Sequence, residues 1–348
     1  MPRRRPSSLP RAKWRLRPRP SGYAVNRPPP RPLIDVWSGV VSWIFRCNVS
    51  GLRADFRACK SVVDKSETQA FLLNMGKNRY KDVPCLDETR VVLEDGGNDY
   101  IHANYFATPG GDNRFICCQA PLKETVVDHW RMIVQEKVYS IVMLCDYMVD
   151  GKEKCSEYIP TTDKPEMTFG PFTIKLIKTA KFKWKRQFKA IVNTSTLEVF
   201  KDGKSVQEVI HYHWINLPER GLPPVELAAY ELLMAAGSGP IMVHDSSGVG
   251  WAGVFVFFAY AVDVEDLEKR NDLPRSLPAL WSLAAVRKER TELIETEAQY
   301  VYVHMLLLQH LKRGKHLSSS AVEILEGDFA YEYDLFAREL LRGAPDWR

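Results

Sequence analysis

The 348-residue sequence contains no apolar run of the roughly 18 residues that a membrane-spanning helix needs. Its first residues are rich in proline and arginine and have no apolar core, so we do not expect a secretory signal. The seven cysteines form no C-x-x-C pair, and several lie inside apolar runs. These features fit buried cysteines of a reducing compartment better than disulfides or zinc ligands. We therefore expect a cytoplasmic chain with no transmembrane span, no metal and no cofactor.

Acidic residues are absent from positions 1–33, which hold ten of the 48 lysines and arginines. The rest of the chain has a formal net charge of −5, and this gives no support for nucleic acid binding. Proline combined with charge of one sign predicts a disordered tail over residues 1–35. The run Arg27–Pro32 could contact an SH3-like groove, or the tail could contact an anionic membrane electrostatically, while a solvated linker is the simpler interpretation.

The order of the sequence patterns predicts the fold class. Apolar spacing is helical from about residue 36 to 75, and short β-rich runs with one helical interruption follow up to residue 244. Helical periodicity is present at 224–236, before the last of these β-rich runs. After that run it is present at 251–267, 277–286 and 295–311. This order predicts an α/β (α+β) domain over residues 36–312, with a central twisted mixed β-sheet flanked by helices. A further helix, 320–341, predicts a packed C-terminal extension over residues 313–348.

The most informative segment is Pro240–Gly253, in which an apolar strand leads into a Ser- and Gly-rich turn and then a helix. Such a turn directs several backbone N–H groups toward one point at a helix N-terminus, which makes it an anion-binding loop. The candidate loop residues are Ser246, Ser247, Gly248, Val249 and Gly250. A strand, glycine-rich turn and helix can also be a simple packing turn.

The segment resembles the phosphate-binding loop of the cysteine-dependent protein tyrosine phosphatases, whose pattern is V-H-C-S-A-G-V-G-R-T-G. Further similarities occur in the family's order at Lys77–Val83, Asp99–Tyr105, Phe115–Pro121, Lys154–Pro160, His211–Pro223 and Ile294–Tyr300. Together they extend over about residues 45–312. The resemblance implies a tyrosine-phosphatase-like domain and a site related to phosphotyrosine hydrolysis.

Four positions that carry chemistry in this family are altered. Asp245 stands at the position of the cysteine nucleophile, and Trp251 at that of the phosphate-binding arginine. A carboxylate is a weak nucleophile at phosphorus and repels a dianionic phosphate, while tryptophan has no charge and no second donor. Glu219 replaces the general acid, and Glu295 replaces the glutamine that positions water. The resemblance therefore predicts that no catalytic set is intact.

The positions that recognise the peptide match the family better. Tyr80 matches a residue that stacks on phosphotyrosine, Asp82 matches one that accepts a peptide N–H, and Val83 and Gln299 also match. These residues, together with the loop 246–250, are the predicted ligand-binding set. They could equally hold the fold without binding a ligand.

These features predict a catalytically inactive protein tyrosine phosphatase-like protein, or pseudophosphatase. Its predicted role is to bind a protein or peptide partner, through a tyrosine or phosphotyrosine segment, as a scaffold or sequestering regulator. One alternative is an active phosphatase with atypical catalytic residues. Another is a purely structural interaction domain whose groove is closed.

Overall fold

The computed structural model describes residues 34–59, 64–94, 97–108, 111–218, 221–269 and 282–342. The strands are β1 (Arg90–Val92), β2 (Tyr100–Thr108), β3 (Gly111–Gln119), β4 (Ser140–Met143), β5 (Met148–Val149), β6 (Lys152–Glu153), β7 (Glu166–Phe169), β8 (Phe172–Lys181), β9 (Val192–Lys201), β10 (Lys204–Trp214) and β11 (Ile241–Asp245). The α-helices are α1 (Ile34–Ala58), α2 (Gln69–Leu73), α3 (Val126–Gln135), α4 (Ala228–Ala236), α5 (Trp251–Lys269), α6 (Leu283–Val286), α7 (Glu297–Arg313), α8 (Ser319–Ile324) and α9 (Ala330–Leu341). Within these ranges no helix combines the length and apolar character needed to cross a membrane.

Nine strands form one mixed sheet in the order β1-β2-β3-β11-β4-β10-β9-β8-β7, and β5 pairs with β6 in a separate hairpin. The pairs β3 with β11, β11 with β4, and β4 with β10 are parallel, while the other pairs of the sheet are antiparallel. Parallel strands end at the same edge of a sheet. The four central strands therefore place their carboxyl ends, and the loops that follow them, side by side.

The two faces of the sheet bury separate apolar clusters. Along β11, Ile241 and Val243 belong to the cluster that contains α5 and α7, whereas Met242 belongs to the cluster that contains α3. This alternation is the period of two expected for a strand covered on both faces. Helix α5 is buried along most of its length, which accounts for its apolar sequence. The mixed sheet with flanking helices matches the predicted fold class.

The C-terminal helices pack on the domain. Phe336 and Leu340 of α9 are buried, and the guanidinium of Arg53 in α1 lies 4.6 Å from the centre of the Phe336 ring. Arg53 also forms an ion pair of 2.9 Å with Glu297 at the start of α7. Helices α1, α7 and α9 thus share apolar and ionic contacts. The predicted tail, residues 1–35, lies almost wholly outside the described residues.

Replacing Phe336 by alanine should lower the free energy of unfolding by about 3–5 kcal/mol, because it leaves a cavity beneath α9. Chemical denaturation monitored by circular dichroism measures this loss. Tyr331→Ala on the same helix removes a side chain that is 66% exposed, so it should change the free energy by less than about 0.5 kcal/mol. An unchanged denaturation midpoint in Phe336→Ala would show that the extension unfolds independently.

Candidate anion-binding loop and its surroundings

The loop 246–250 joins the end of β11 to the start of α5, at the edge where the four parallel strands end. Gly248 has a φ of +77°, and a Cβ at this position would overlap the backbone of Cys118 in β3. Only glycine fits such a left-handed, tightly packed position. The glycine of the sequence motif is therefore required by the shape of the loop.

Arg290 holds the loop from behind. Its guanidinium is fully buried and donates to the backbone carbonyls of Gly248 (2.7 Å) and Ser247 (3.2 Å). It also donates to the side-chain oxygen of Asn104 (2.7 Å). Because its carbonyls are engaged by Arg290, the loop keeps its N–H groups directed toward the other side.

The carboxylate of Asp245 accepts those N–H groups. The backbone N–H of Gly248 donates to Oδ1, and that of Ala252 donates to Oδ2 at 2.9 Å. The hydroxyl of Ser247 adds a third bond to Oδ1 at 3.2 Å. Asp245 is only 5% exposed. The loop that the sequence predicts to bind an external anion therefore contains an anion of its own.

A second carboxylate lies beside this one. Glu295 Oε2 and Gln299 Nε2 are each 3.0 Å, and Asp245 Oδ2 is 3.2 Å, from the position that a Cβ on Gly250 would occupy. The side-chain oxygen of Gln299 accepts the backbone N–H groups of Glu295 (3.1 Å) and Thr296 (3.2 Å), which caps helix α7. Gln299 therefore has a structural role as a helix cap. Glu295 adds a second carboxylate close to that of Asp245.

Trp251 contacts the loop that follows β10. Its indole N–H donates to the backbone carbonyl of Pro218 (3.2 Å), and its ring packs edge-to-face on Tyr302 of α7, with centroids 5.7 Å apart. The hydroxyl of Tyr302 in turn donates to the carbonyl of Pro224 (3.3 Å). Both ends of the segment 218–224 are thus bonded to the core. The predicted general-acid position, Glu219, lies outside the described residues.

The predicted peptide-recognition residues lie on the opposite side of the loop. The hydroxyl of Tyr80 is 2.9 Å from the hydroxyl of Ser246, so the half-buried ring lies beside the loop. Asp82 is exposed, whereas Val83 is buried. Arg79 donates to backbone carbonyls, including that of Pro121 at 2.8 Å, and so supports the fold. The structure therefore brings Tyr80 and Ser246 together and leaves the carboxylate of Asp82 accessible.

Buried histidines lie behind the loop, and sequence reasoning did not group them. The hydroxyl of Tyr158 bonds to Nε2 of His244 (2.7 Å) and of His211 (2.8 Å), and His129 packs edge-to-face on the Tyr158 ring. Burial lowers the pKa of His129 to about 3, and it holds the pKa values of His211 and His244 well below their ordinary range. All three rings are therefore neutral. Only their placement inside β-rich and helical apolar runs could have indicated this cluster.

Three potential metal ligands also meet here: the side chains of Cys145, Cys155 and His244 place their donor atoms within 4.8 Å of one another. A hydrogen bond to Cys155 and burial raise the pKa of the Cys145 thiol well above its usual value, so the thiol keeps its proton. A structural zinc site has four ligands, and its cysteines bind as thiolates. Within the described part of the chain, this trio does not form a complete tetrahedral zinc site.

A strand, a glycine-rich loop and a helix N-terminus at the parallel ends of a mixed sheet define an anion-binding loop of an α/β fold. The family model "Protein-tyrosine phosphatase" matches residues 74–309. The chain therefore belongs to the protein tyrosine phosphatase family, as the motifs predicted.

Relatives support this assignment. Tyrosine-protein phosphatase non-receptor type 18 of Mus musculus is 33% identical over 254 residues, which cover 69% of this chain and 53% of that protein. Tyrosine phosphatase-like protein J1 of Microplitis demolitor bracovirus is 28% identical and covers 68% of this chain and 81% of that protein. The chain spans about half the length of the mouse type 18 protein.

Solved structures confirm the fold. The crystal structure of the catalytic domain of human protein tyrosine phosphatase non-receptor type 18 superposes with a TM-score of 0.63 at 28% identity, covering 80% of this chain and 99% of that one. A structure of the type 18 phosphatase (PTPN18) in complex with HER2 phosphopeptides gives a TM-score of 0.61 at 28% identity. The match covers 75% of this chain and 98% of that one.

The neutral histidines predict a loss of stability in mild acid. Because their pKa values are depressed in the folded state, the unfolded chain takes up protons first as the pH falls below about 6.5. Each such histidine should contribute a slope that rises from about 0.7 kcal/mol per pH unit at pH 6.5 to about 1.4 near pH 5. Denaturation at a series of pH values should show that His129→Leu removes one such contribution. Val134→Ala, on the same helix, should leave the slope unchanged, and an unaltered slope in His129→Leu would contradict the assignment.

Proposed function

We propose that this protein is a catalytically inactive member of the tyrosine phosphatase family that binds a protein partner. The observation that carries the proposal is the carboxylate of Asp245, which is bonded to the N–H groups of Gly248 and Ala252. In an active loop these groups would face a bound phosphate. Here a phosphate dianion would have to displace a covalently attached carboxylate and would be repelled by it.

The replaced residues support this proposal together. Asp245 offers no thiolate, and the indole of Trp251 is engaged with Pro218 and carries no charge to stabilise a transition state. The Cys145 thiol, near His244, does not supply the missing nucleophile, because its raised pKa keeps it protonated. A neutral His244 likewise offers no positive charge to lower the pKa of a thiol.

Partner binding rests on the surface beside Tyr80. The ring of Tyr80 is fixed by its bond to Ser246, and the exposed carboxylate of Asp82 can accept a backbone N–H of a peptide. PTPN18, a relative, has been solved with HER2 phosphopeptides. We propose that this chain uses the equivalent surface for a tyrosine-containing segment. The unphosphorylated form should be preferred, because the carboxylates of Asp245 and Glu295 lie at the loop that Tyr80 contacts.

A purely structural domain with a closed groove is a second candidate. The bonds from Trp251 to Pro218 and from Tyr302 to Pro224 favour it, because they hold the segment that borders the groove at both ends. This candidate differs from the first in one respect that can be measured. A closed groove predicts that no tyrosine peptide binds near Tyr80.

The chain should not hydrolyse p-nitrophenyl phosphate. Asp245→Cys alone should also be inactive, because Trp251 still provides no guanidinium to hold the phosphate. Steady-state assays beside the human type 18 catalytic domain as a positive control check both statements. Turnover by the natural sequence that disappears in Asp245→Ala would instead establish an active phosphatase with atypical residues.

Tyrosine peptides should bind, and Tyr80→Ala and Asp82→Asn should each weaken the binding by about 1–2 kcal/mol. A degenerate library of tyrosine segments, synthesised in unphosphorylated and phosphorylated forms, supplies the ligands, and isothermal titration calorimetry measures the affinities. Asp245→Asn should improve the binding of the phosphorylated forms, because it removes the charge beneath the pocket.

The matched control is Glu88→Gln, which removes an exposed carboxylate close in sequence to Asp82. It should leave the affinities unchanged. Equal binding by the natural sequence, Tyr80→Ala and Asp82→Asn would rule out the proposed groove. No binding by any member of the library would favour the closed structural domain.

A further inference from the structure

Strand β8 extends well beyond the strand that covers its outer edge. Strand β7 pairs with β8 only from Phe172 to Lys175, and the N–H of Leu176 donates to the carbonyl of Pro165 (2.8 Å). The register with β9 shifts at Ile177, and Lys178 to Lys181 then continue along β9 on their other side; all five residues are exposed. Within the described part of the chain, this stretch of β8 is therefore an open edge of the main sheet.

The open edge is also the most basic part of the described chain. Between Glu166 and Glu198 the sequence holds seven lysines and arginines and no acidic residue, although the chain after residue 33 has a formal net charge of −5. Lys175 is paired with Glu166 at 2.9 Å. Lys178, Lys181 and Lys183 are exposed, and none of them has an ion-pair partner among the described residues. The edge therefore carries an uncompensated positive charge.

The basic side chains are presented by a rigid backbone. After β8, Phe182 and Trp184 are half-buried and pack against each other with centroids 4.5 Å apart, while Lys183 between them is exposed. The indole of Trp184 donates to the carbonyl of Ala190 (2.9 Å), which anchors the segment. Ile177, 56% exposed, adds an apolar side chain to the open edge. A preformed edge of this kind loses little conformational entropy when it binds.

We propose that the edge of β8 from Ile177 to Lys181 binds an extended acidic segment of a partner protein, which adds to the sheet as a further strand. The unpaired backbone groups require alternating N–H and C=O partners, which a peptide supplies and a lipid surface or nucleic acid does not. Lys178 and Lys181 lie at positions of opposite parity, so acidic side chains on either face of the added strand meet a lysine. This interface is separate from the groove beside Tyr80.

The probe for this interface is a fluorescein-labelled, end-blocked octapeptide of alternating valine and glutamate, with alternating valine and lysine as its counterpart. The glutamate peptide should bind the full chain in fluorescence anisotropy, more tightly at 0.02 M than at 0.3 M salt, and the lysine peptide should not bind. A glutamate peptide in which every backbone amide is N-methylated keeps its charge but cannot donate to the edge. It should lose at least about tenfold in affinity.

The double variant Lys178→Glu and Lys181→Glu should bind the glutamate peptide at least about tenfold more weakly. Thermal unfolding of the variant establishes that it is folded. Lys65→Glu with Lys123→Glu makes the same change in charge at two other exposed lysines, and it should leave the affinity unchanged. Tyr80→Ala should also bind normally, which separates this interface from the proposed tyrosine groove.

Three outcomes would overturn the proposal. Equal binding of the N-methylated peptide would reduce the contact to non-specific charge attraction. If the control double variant loses affinity for the glutamate peptide to the same extent, the peptide does not bind specifically at the edge of β8. Failure of the glutamate peptide to bind, together with self-association of Lys178→Ala with Lys181→Ala in analytical ultracentrifugation, would show that these lysines only protect the edge from aggregation.

Discussion

The site is organised by the bonds between the carboxylate of Asp245 and the backbone N–H groups of Gly248 and Ala252. Converging N–H groups at a helix N-terminus stabilise a negative charge, and a charge-assisted hydrogen bond of this kind contributes about 1.5–3 kcal/mol. Because this anion is part of the chain, it is present at every moment and needs no ligand. The loop is thereby fixed in the unliganded protein, and any external anion must compete with an internal one.

The surroundings of Asp245 show how this charge is tolerated in a buried place. Arg290 is fully buried and donates to the carbonyls of the same loop. A positive group therefore lies on the carbonyl side of the loop, while the carboxylate of Asp245 accepts its N–H groups. His244 next to it is neutral, because burial depresses its pKa. The negative charge is therefore stabilised by amides, the helix terminus and a guanidinium, rather than by an imidazolium.

The sequence predicted the strand, loop and helix around Asp245 because an apolar run, a glycine-rich turn and a second apolar run are local signals. It could not predict where the Trp251 side chain points, since its bond to Pro218 depends on a segment more than thirty residues away. The sequence does not indicate strand β7, because its residues are exposed or half-buried and follow no apolar pattern. The predicted helix 320–341 is interrupted at Gly327, where the backbone leaves the helical region. The sequence did not predict the histidine cluster, because its members lie on three separate elements of the fold.

The contacts of Trp251 and Tyr302 connect the altered loop to the proposed binding role. Catalysis in which a loop closes over the substrate needs a border segment that can move, whereas here the carbonyls of Pro218 and Pro224 are each bonded to a side chain of the core. A fixed border is a disadvantage for a reaction that requires closure. The same bonds fit both proposed roles, because a preformed binding surface loses little conformational entropy when a partner arrives, and a closed groove is held shut by the same contacts. Trp251, which the family resemblance aligns with a phosphate-binding arginine, is thus also the residue that bonds to Pro218. Under the proposed function, the loss of chemistry and the contact with Pro218 are two effects of one residue, and both can be tested by exchanging Trp251.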